Sequence, residues 1–86
     1  MRVTLYHSPG CHLCDRARDV VLGVQTDTAF ELVEVDISGD ESLEARYRAL
    51  LPVVEVEGGR SFSYFVPEDA FRRAVAAQSP GSEPSL

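Results

Sequence analysis

The sequence predicts an α/β domain with the order β-α-β-α-β-β-α, in which helices flank a four-stranded mixed sheet. Two observations carry this prediction. The first 37 residues read strand, helix, strand, which is a βαβ unit with parallel strands and a right-handed crossover. Later in the chain, two strand-like runs are joined by Gly58-Gly59, a strong signal for an antiparallel hairpin. With 86 residues the chain suits one domain, which we place at residues 1–77.

The first strand and the first helix are indicated by different periodicities of apolar residues. Apolar and polar side chains alternate over residues 2–6, as expected for a strand. Pro9 and Gly10 then break the strand. Beyond them, apolar residues recur at spacings typical of one helix face. The members of this face are Leu13, Ala17, Val20, Val21 and Val24.

A second strand and a second helix follow a polar connector. Residues 30–37 alternate as a strand does and complete the βαβ unit. Residues 41–50 have helical spacing. The sequence offers two caps for this helix: Ser38 acting together with Glu41, or Asp40 alone.

The last third of the chain predicts a hairpin and a final helix. Pro52 stops the second helix, and residues 53–57 and 60–65 form the two strands of the hairpin. Pro67 is expected at the first position of the last helix. Residues 78–86 contain Pro, Gly and Ser without a packing face, so we expect a flexible tail there.

Composition excludes several classes of function. The net charge is −6 and all eight basic residues are arginine, with no basic stripe, which argues against nucleic acid as a partner. No apolar run approaches the roughly 18 residues of a membrane span, so no membrane association is expected. No apolar signal-peptide region follows Arg2. We therefore expect a cytoplasmic, monomeric protein whose cysteines are kept in a reducing environment.

Both cysteines lie between the first strand and the first helix, in Ser8-Pro9-Gly10-Cys11-His12-Leu13-Cys14. Residues three apart on a helix have Cβ atoms about 5–6 Å apart, and a disulfide needs about 3.5–4.5 Å. A small adjustment of the first helical turn would therefore let Cys11 and Cys14 form a disulfide that can be reduced again. If Cys11 begins the helix, unpaired N–H groups and the helix dipole stabilise its thiolate. Cys11 is then the predicted nucleophile, and Cys14, one turn deeper, is the predicted resolving thiol.

Two other readings of the cysteine pair stay open. A structural zinc site needs four ligands, and His7, Cys11, His12 and Cys14 are the four candidates in one short hairpin. A metal or a cluster bound by the two cysteines, or shared between two chains, is a related possibility. The pair could also be two buried structural thiols. A Cys-x-x-Cys motif beside a βαβ pattern favours redox chemistry, and our site prediction contains no metal.

Three segments carry a resemblance to a known family: Leu5-Tyr6, the Cys11-His12-Leu13-Cys14 motif, and Leu51-Pro52-Val53-Val54. Together they resemble the thioredoxin fold in its short, glutaredoxin-like form, over residues 1–77. The small bacterial group of glutaredoxin-like proteins with a Cys-x-Leu-Cys motif is the most similar. The resemblance implies a dithiol–disulfide oxidoreductase of cell redox homeostasis and electron transport. It also implies, as partners, a disulfide-containing protein or small thiol, and a reductase or thiol donor.

The same resemblance implies roles for residues near the cysteines. In that family the proline equivalent to Pro52 is cis and faces the cysteine pair. Its neighbour, here Leu51, offers main-chain groups to a substrate strand. His12 directly follows the nucleophile, where a protonated imidazole would lower the Cys11 pKa; otherwise it is an exposed polar residue without a partner. His7 is expected at the rim of the site.

The chain departs from typical glutaredoxins in two places. Those proteins carry Cys-Pro-Tyr-Cys, and a Gly-Gly turn closely followed by Asp, where part of glutathione binds. Here residues 64–69 read Tyr-Phe-Val-Pro-Glu-Asp, and only Asp69 could act as a cap. We expect no bound cofactor; glutathione is possible as the reductant, but its usual binding turn is absent. A module that docks partners in the Pro52 groove without turnover is the alternative to an enzyme.

Overall fold

A computed structural model describes residues 1–78 of the chain. Its elements are β1 (Arg2–His7), α1 (His12–Gln25), β2 (Glu31–Asp36), α2 (Glu41–Tyr47), β3 (Val53–Val56), β4 (Ser61–Ser63) and α3 (Glu68–Gln78). The predicted order of strands and helices is confirmed. The tail predicted over residues 78–86 lies outside the described residues except for Gln78, which ends α3.

The four strands form one mixed sheet in the order β2-β1-β3-β4. Strands β1 and β2 are parallel, as the βαβ prediction requires, and His7 pairs with Asp36 at their carboxyl ends. Strand β3 is antiparallel to both β1 and β4. Tyr6 lies opposite Val53, so the end of β1 and the start of β3 meet at one end of the sheet.

The sheet has apolar residues on both faces because its central strands alternate between two apolar sets. Val3 and Leu5 of β1 face helices α1 and α3, together with Val54 and Val56 of β3. That larger core also contains residues from the helices, from β4 and from the connector between β4 and α3: Ala17, Val21, Val24, Phe62, Val66, Phe71 and Val75. The opposite face carries a smaller cluster around Ile37, Tyr47 and Val53, covered by α2. Helices therefore flank the sheet on both sides, as predicted.

Helix α2 settles the choice between the two predicted caps. The Asp40 carboxylate accepts the Leu43 backbone N–H at 3.0 Å, so Asp40 is the N-cap. The α-helix ends at Tyr47, and the last residues of the predicted helix form a short 3₁₀ turn, Arg48–Leu50. The α conformation is disfavoured for the residue before a proline. This explains why Leu51, which precedes Pro52, has an extended backbone after the 3₁₀ turn.

The second hairpin strand and the last helix both differ from the prediction by a few residues. Strand β4 covers only Ser61–Ser63 instead of residues 60–65. Tyr64 has a positive φ of 67°, which lies outside the extended region, so strand β4 ends there. Its N–H donates to the carbonyls of Leu50 and Pro52 at 3.2 and 3.0 Å. Helix α3 begins at Glu68, one residue after Pro67, whose carbonyl accepts the Phe71 N–H at 2.9 Å.

No helix within residues 1–78 combines the length and the apolar character needed to cross a membrane.

Candidate active site

A tight turn carries the chain from the end of β1 to the first cysteine. Pro9 and Gly10 are the turn residues, and Gly10 has a φ of +78°. Proline followed by a residue with positive φ is the pattern of a type II turn, in which glycine avoids the steric cost of a side chain. The turn fixes the distance between the sheet and Cys11.

Cys11 is the N-cap of helix α1, as predicted. Its backbone is extended, with φ −93° and ψ 103°, and its Sγ accepts the Cys14 backbone N–H at 3.1 Å. Its carbonyl accepts the Asp15 N–H at 3.2 Å, which is the first hydrogen bond of the helix. A cap position is usually held by an oxygen side chain. Here the cap is a sulfur atom, which accepts a hydrogen bond from the N–H group and lies at the positive end of the helix dipole.

Cys11 and Cys14 are joined by a disulfide, with their Cα atoms 5.2 Å apart. The two sulfur-bearing residues differ in exposure: Cys14 is 3% exposed, whereas Cys11 is only partly buried. Cys11 is therefore the more solvent-accessible cysteine, and it is also the one whose sulfur accepts the backbone N–H hydrogen bond. This asymmetry is what an attacking and a resolving thiol require.

Leu51 and Pro52 lie where β3 starts, at the same end of the sheet as the turn before Cys11. The Leu51–Pro52 peptide bond is cis, as the resemblance implied. Pro52 is fully buried, and Leu51 is half-buried with an extended backbone, φ −58° and ψ 142°.

The two histidines occupy different surroundings. His12 is exposed, and within residues 1–78 its side chain makes no hydrogen bond or ion pair. His7 was expected at the rim of the site, but it is half-buried and lines a polar cavity together with Cys14. Sequence reasoning missed this placement, since it follows from the packing of α1 against β1 and β2.

A shallow apolar groove lies next to the cysteine pair. Leu13 is 48% exposed, although the helical pattern grouped it with the core face of α1. It lines the groove with Tyr64 and Phe65, which are 53% and 70% exposed, and with Arg16. The sequence signal that could have found the groove is the adjacent pair of aromatic residues between the last strand and the last helix.

Charged side chains surround the amino-terminal half of α1. Arg18 Nε donates to Glu34 Oε1 at 2.8 Å, and this carboxylate raises the pKa of the guanidinium. On the same strand, the Ser38 backbone N–H bonds Asp36 Oδ1 at 2.8 Å and lowers the pKa of that carboxyl group. The charge of His7 lowers it further, to a smaller extent.

Within the described residues, no group of three or more His, Cys, Asp or Glu side chains is arranged to hold a metal ion. The structure therefore offers no observation in favour of the zinc reading of His7, Cys11, His12 and Cys14.

Comparison with known proteins places these features in one family. Residues 2–76 match the model of the family described as Glutaredoxin-like domain (DUF836). An uncharacterized protein of Mycobacterium tuberculosis is 29% identical over an alignment 89 residues long, gaps included. The alignment covers 96% of this chain and 91% of that protein. A Mycobacterium bovis protein, also uncharacterized, matches with the same identity and coverage.

Two solved structures are similar to this chain in fold. A crystal structure of protein XcR50 from X. campestris superposes with a TM-score of 0.74 and 29% identity, over 87% of this chain and 96% of that one. A solution structure of protein Ne2328 from Nitrosomonas europaea gives a TM-score of 0.67 and 29% identity, over 81% and 85%.

Proposed function

The chain belongs to the glutaredoxin-like domain family, and from that premise we propose that it is a small thiol–disulfide oxidoreductase. Cys11 is the attacking thiolate and Cys14 is the resolving thiol. The observation that carries the proposal is the cap geometry of Cys11, whose Sγ accepts the Cys14 N–H at 3.1 Å. A hydrogen bond to the charged form of a group favours that form, so the same N–H stabilises the Cys11 thiolate in the reduced protein.

The reaction proceeds by two thiol–disulfide exchanges. The Cys11 thiolate attacks one sulfur of a substrate disulfide, forms a mixed disulfide, and expels the other substrate sulfur as a thiolate. Cys14 then loses its proton and attacks Cys11 Sγ, which releases the second substrate thiolate and closes the Cys11–Cys14 disulfide. Two electrons pass from the cysteine pair to the substrate. A thiol donor or a reductase then restores the reduced pair.

Leu51, Pro52 and His12 are proposed to hold the substrate at the attacking sulfur. The start of β3 lies at the Cys11 end of the sheet, so main-chain groups of Leu51 can pair with an extended substrate segment. His12 is exposed directly after Cys11, where a positive ring would attract an anionic substrate and support the thiolate.

The apolar groove favours a polypeptide substrate over a small polar thiol. Leu13, which lies between the two cysteines in the chain, exposes apolar surface in this groove together with Tyr64 and Phe65. Arg16 lines the same groove, and within residues 1–78 no carboxylate forms an ion pair with it. We therefore propose a substrate cysteine flanked by apolar residues and an acidic one, in a cytoplasmic protein.

The electron donor is proposed to be a reductase or a thiol that does not depend on the usual glutathione turn. The segment after β4 presents Tyr64 and Phe65, and the first turn of α3 carries Glu68 and Asp69. Glu68 is paired with Arg72 at 3.0 Å, so Asp69 is the carboxylate there that opposes the binding of an anionic tripeptide by like-charge repulsion.

The direct test is reduction of insulin disulfides with three donors supplied in parallel: dithiothreitol, glutathione with its reductase, and a thioredoxin reductase system. We expect turnover that is abolished in Cys11→Ser. In Cys14→Ser we expect a mixed disulfide between the protein and insulin. Each variant replaces a single sulfur atom by oxygen. Circular dichroism of both variants checks that the fold is retained.

Two outcomes would contradict the proposal. Absence of turnover with all donors, together with stable noncovalent capture of insulin, would identify a binding module. Stoichiometric zinc or iron in anaerobically purified protein, without redox activity, would favour metal binding by the cysteine pair.

A further inference from the structure

A polar cavity of about 270 Å³ lies beside the cysteine pair, between helix α1 and strands β1 and β2. Cys14 and His7 both line it, and Asp15, Arg18 and Glu34 supply its charged walls. Asp15, Arg18 and Glu34 are exposed, so the cavity is open to solvent and water in it can connect its side chains.

The parallel register of β1 and β2 brings His7 to this cavity. His7 lies opposite Asp36, and Glu34 is two residues earlier on the same face of β2. Arg18, one turn beyond Cys14 on α1, is tied to Glu34 by the hydrogen bond of 2.8 Å. His12 is exposed to solvent and does not line the cavity.

Cys14 needs a proton acceptor when it resolves a mixed disulfide. Its side chain is 3% exposed, and burial disfavours the thiolate form. Proton transfer is most efficient with a side chain that titrates near the working pH, and imidazole is the side-chain type that does so. His7 is the imidazole that shares the cavity with Cys14.

We propose that His7 accepts the Cys14 thiol proton through water in this cavity during the resolving step, an inference that rests on the function proposed above. Cys14 loses its proton to the water chain, and the His7 ring becomes an imidazolium. The Cys14 sulfur bonds to Cys11 Sγ while the bond from Cys11 Sγ to the substrate sulfur breaks. The substrate thiolate leaves and takes up a proton by way of the imidazolium, which restores the neutral ring.

The charges around His7 support a transient positive ring. Glu34 and Asp36 approach from β2, and Asp15 approaches from α1. The nearby cation is Arg18, and its charge is matched by Glu34. Asp15 and Asp36 are therefore the remaining charges that face His7, and both are negative.

The two exchange steps can be observed separately with the chromogenic disulfide 5,5′-dithiobis(2-nitrobenzoate). Attack by Cys11 of the reduced protein releases the first nitrothiobenzoate, at a rate proportional to reagent concentration. Resolution by Cys14 releases the second, at a rate independent of it. Stopped-flow absorbance of wild type, His7→Gln and His12→Gln, each over a range of pH, gives both rates for every protein.

We expect His7→Gln to slow the second phase by about 10- to 100-fold at neutral pH, with the first phase intact. The pH dependence of the second phase should differ between the wild type and His7→Gln, which lacks the imidazole. His12→Gln is the contrast: it removes the other imidazole, so we expect it to change the first phase, in which His12 supports the Cys11 thiolate, and to keep the second-phase pH profile. In His7→Ala, added imidazole should restore the second phase by entering the cavity.

The outcomes separate failure of the inference from failure of the proposed function. A second phase in His7→Gln with the wild-type rate and pH profile overturns the role of His7 and leaves the function standing. A slower second phase that keeps its pH profile, and that imidazole does not restore in His7→Ala, also overturns it, because His7 would then act only on structure. A wild-type protein without a first phase contradicts the proposed function itself.

Discussion

At the scale of single residues, the position of Cys11 depends on the backbone of Gly10. Gly10 has a φ of +78°, and a side chain added there would meet no atom within 4 Å. The cost of a substitution is therefore conformational and not a clash. Gly23, inside α1, is equally free of contacts but has no positive φ, which makes it a matched comparison.

We predict opposite effects from the same change at these two glycines. Gly10→Ala should lower the free energy of unfolding by about 1–2 kcal/mol, because an L-residue resists the left-handed region. Gly23→Ala should raise it by about 0.5–1 kcal/mol, because alanine favours a helix interior. Urea denaturation of the oxidised proteins measures both. Equal effects at the two positions would mean that the turn does not hold Gly10 in this conformation.

Tyr6 is the residue whose ionisation the fold changes most clearly. Burial raises its pKa from 10.0 to about 12, and the hydrogen bond with Tyr47 and the charge of Glu55 add to the rise. The ring also stacks on Tyr47, with centroids 4.1 Å apart. The neutral phenol is therefore the form that the folded state favours.

This shift predicts a loss of stability at alkaline pH. A folded-state pKa above the unfolded value stabilises the protein fully below the unfolded pKa, and the contribution is lost as pH rises from 10.0 towards about 12. Ultraviolet titration of the oxidised protein should show a late tyrosine step that Tyr6→Phe removes. If Tyr6→Phe keeps this late step, the assignment to Tyr6 is wrong.

The surroundings of His7 could not be predicted from the sequence, whereas those of Cys11 could. The Cys-x-x-Cys spacing predicted that Cys11 begins the helix, because both cysteines and the breaker pair Pro9-Gly10 are adjacent in the chain. The cavity that joins His7 to Cys14 involves Glu34 as well, from a different strand. Its members meet only once the register of β1 and β2 is fixed.

At the scale of elements, the start of helix α2 is held by one side chain. The Asp40 carboxylate accepts the Leu43 N–H at 3.0 Å. The sequence left Ser38 with Glu41 as an equal alternative, because serine and aspartate are both favoured caps. In the structure the Ser38 N–H bonds the Asp36 carboxylate, which places Ser38 before the helix.

The cap predicts a cost that depends on the acceptor oxygen and not on the charge. Asp40→Ala should destabilise the protein by about 0.5–2 kcal/mol, whereas Asp40→Asn should stay close to wild type because asparagine caps equally well. Thermal or urea unfolding with circular dichroism measures both variants. A loss in Asp40→Asn as large as in Asp40→Ala would indicate that charge, and not capping, is what matters there.

The elements themselves were predictable because their periodicities are local properties of the chain. Their ends were less so, since β4 ends early at Tyr64, whose φ is positive and whose N–H donates to the carbonyls of Leu50 and Pro52. Those carbonyls belong to a segment more than ten residues earlier in the sequence, so pattern reading of residues 60–65 could not detect them. Leu13 is a similar case: its spacing matches the core face of α1, yet its side chain is exposed and lines the groove.

At the scale of the whole molecule, helix α3 is joined to the rest of the fold through Phe71. Its ring makes edge-on contacts with Phe30 and Phe62, with centroids 6.0 and 6.1 Å apart. Phe71 is fully buried in the core that α1, α3 and the sheet share. A domain of this size has a modest core, so a single ring of this kind accounts for a large share of its stability.

We predict that Phe71→Ala lowers the free energy of unfolding by about 3–5 kcal/mol, because it removes a buried ring and leaves a cavity. Phe65→Ala is the control: Phe65 is 70% exposed, and its removal should change stability by no more than about 0.5 kcal/mol. Urea denaturation monitored by circular dichroism compares the two. Similar losses in both variants would contradict this description of the core.

The account as a whole depends on a thiolate at Cys11 that the start of helix α1 stabilises. The most direct test is the rate at which iodoacetamide alkylates Cys11 in the reduced Cys14→Ser protein, measured as a function of pH. We predict that alkylation stays fast down to neutral pH, with a midpoint well below the value of about 8.5 for a free thiol. A midpoint at or above about 8.5, or a Cys11 that does not react, would contradict the account.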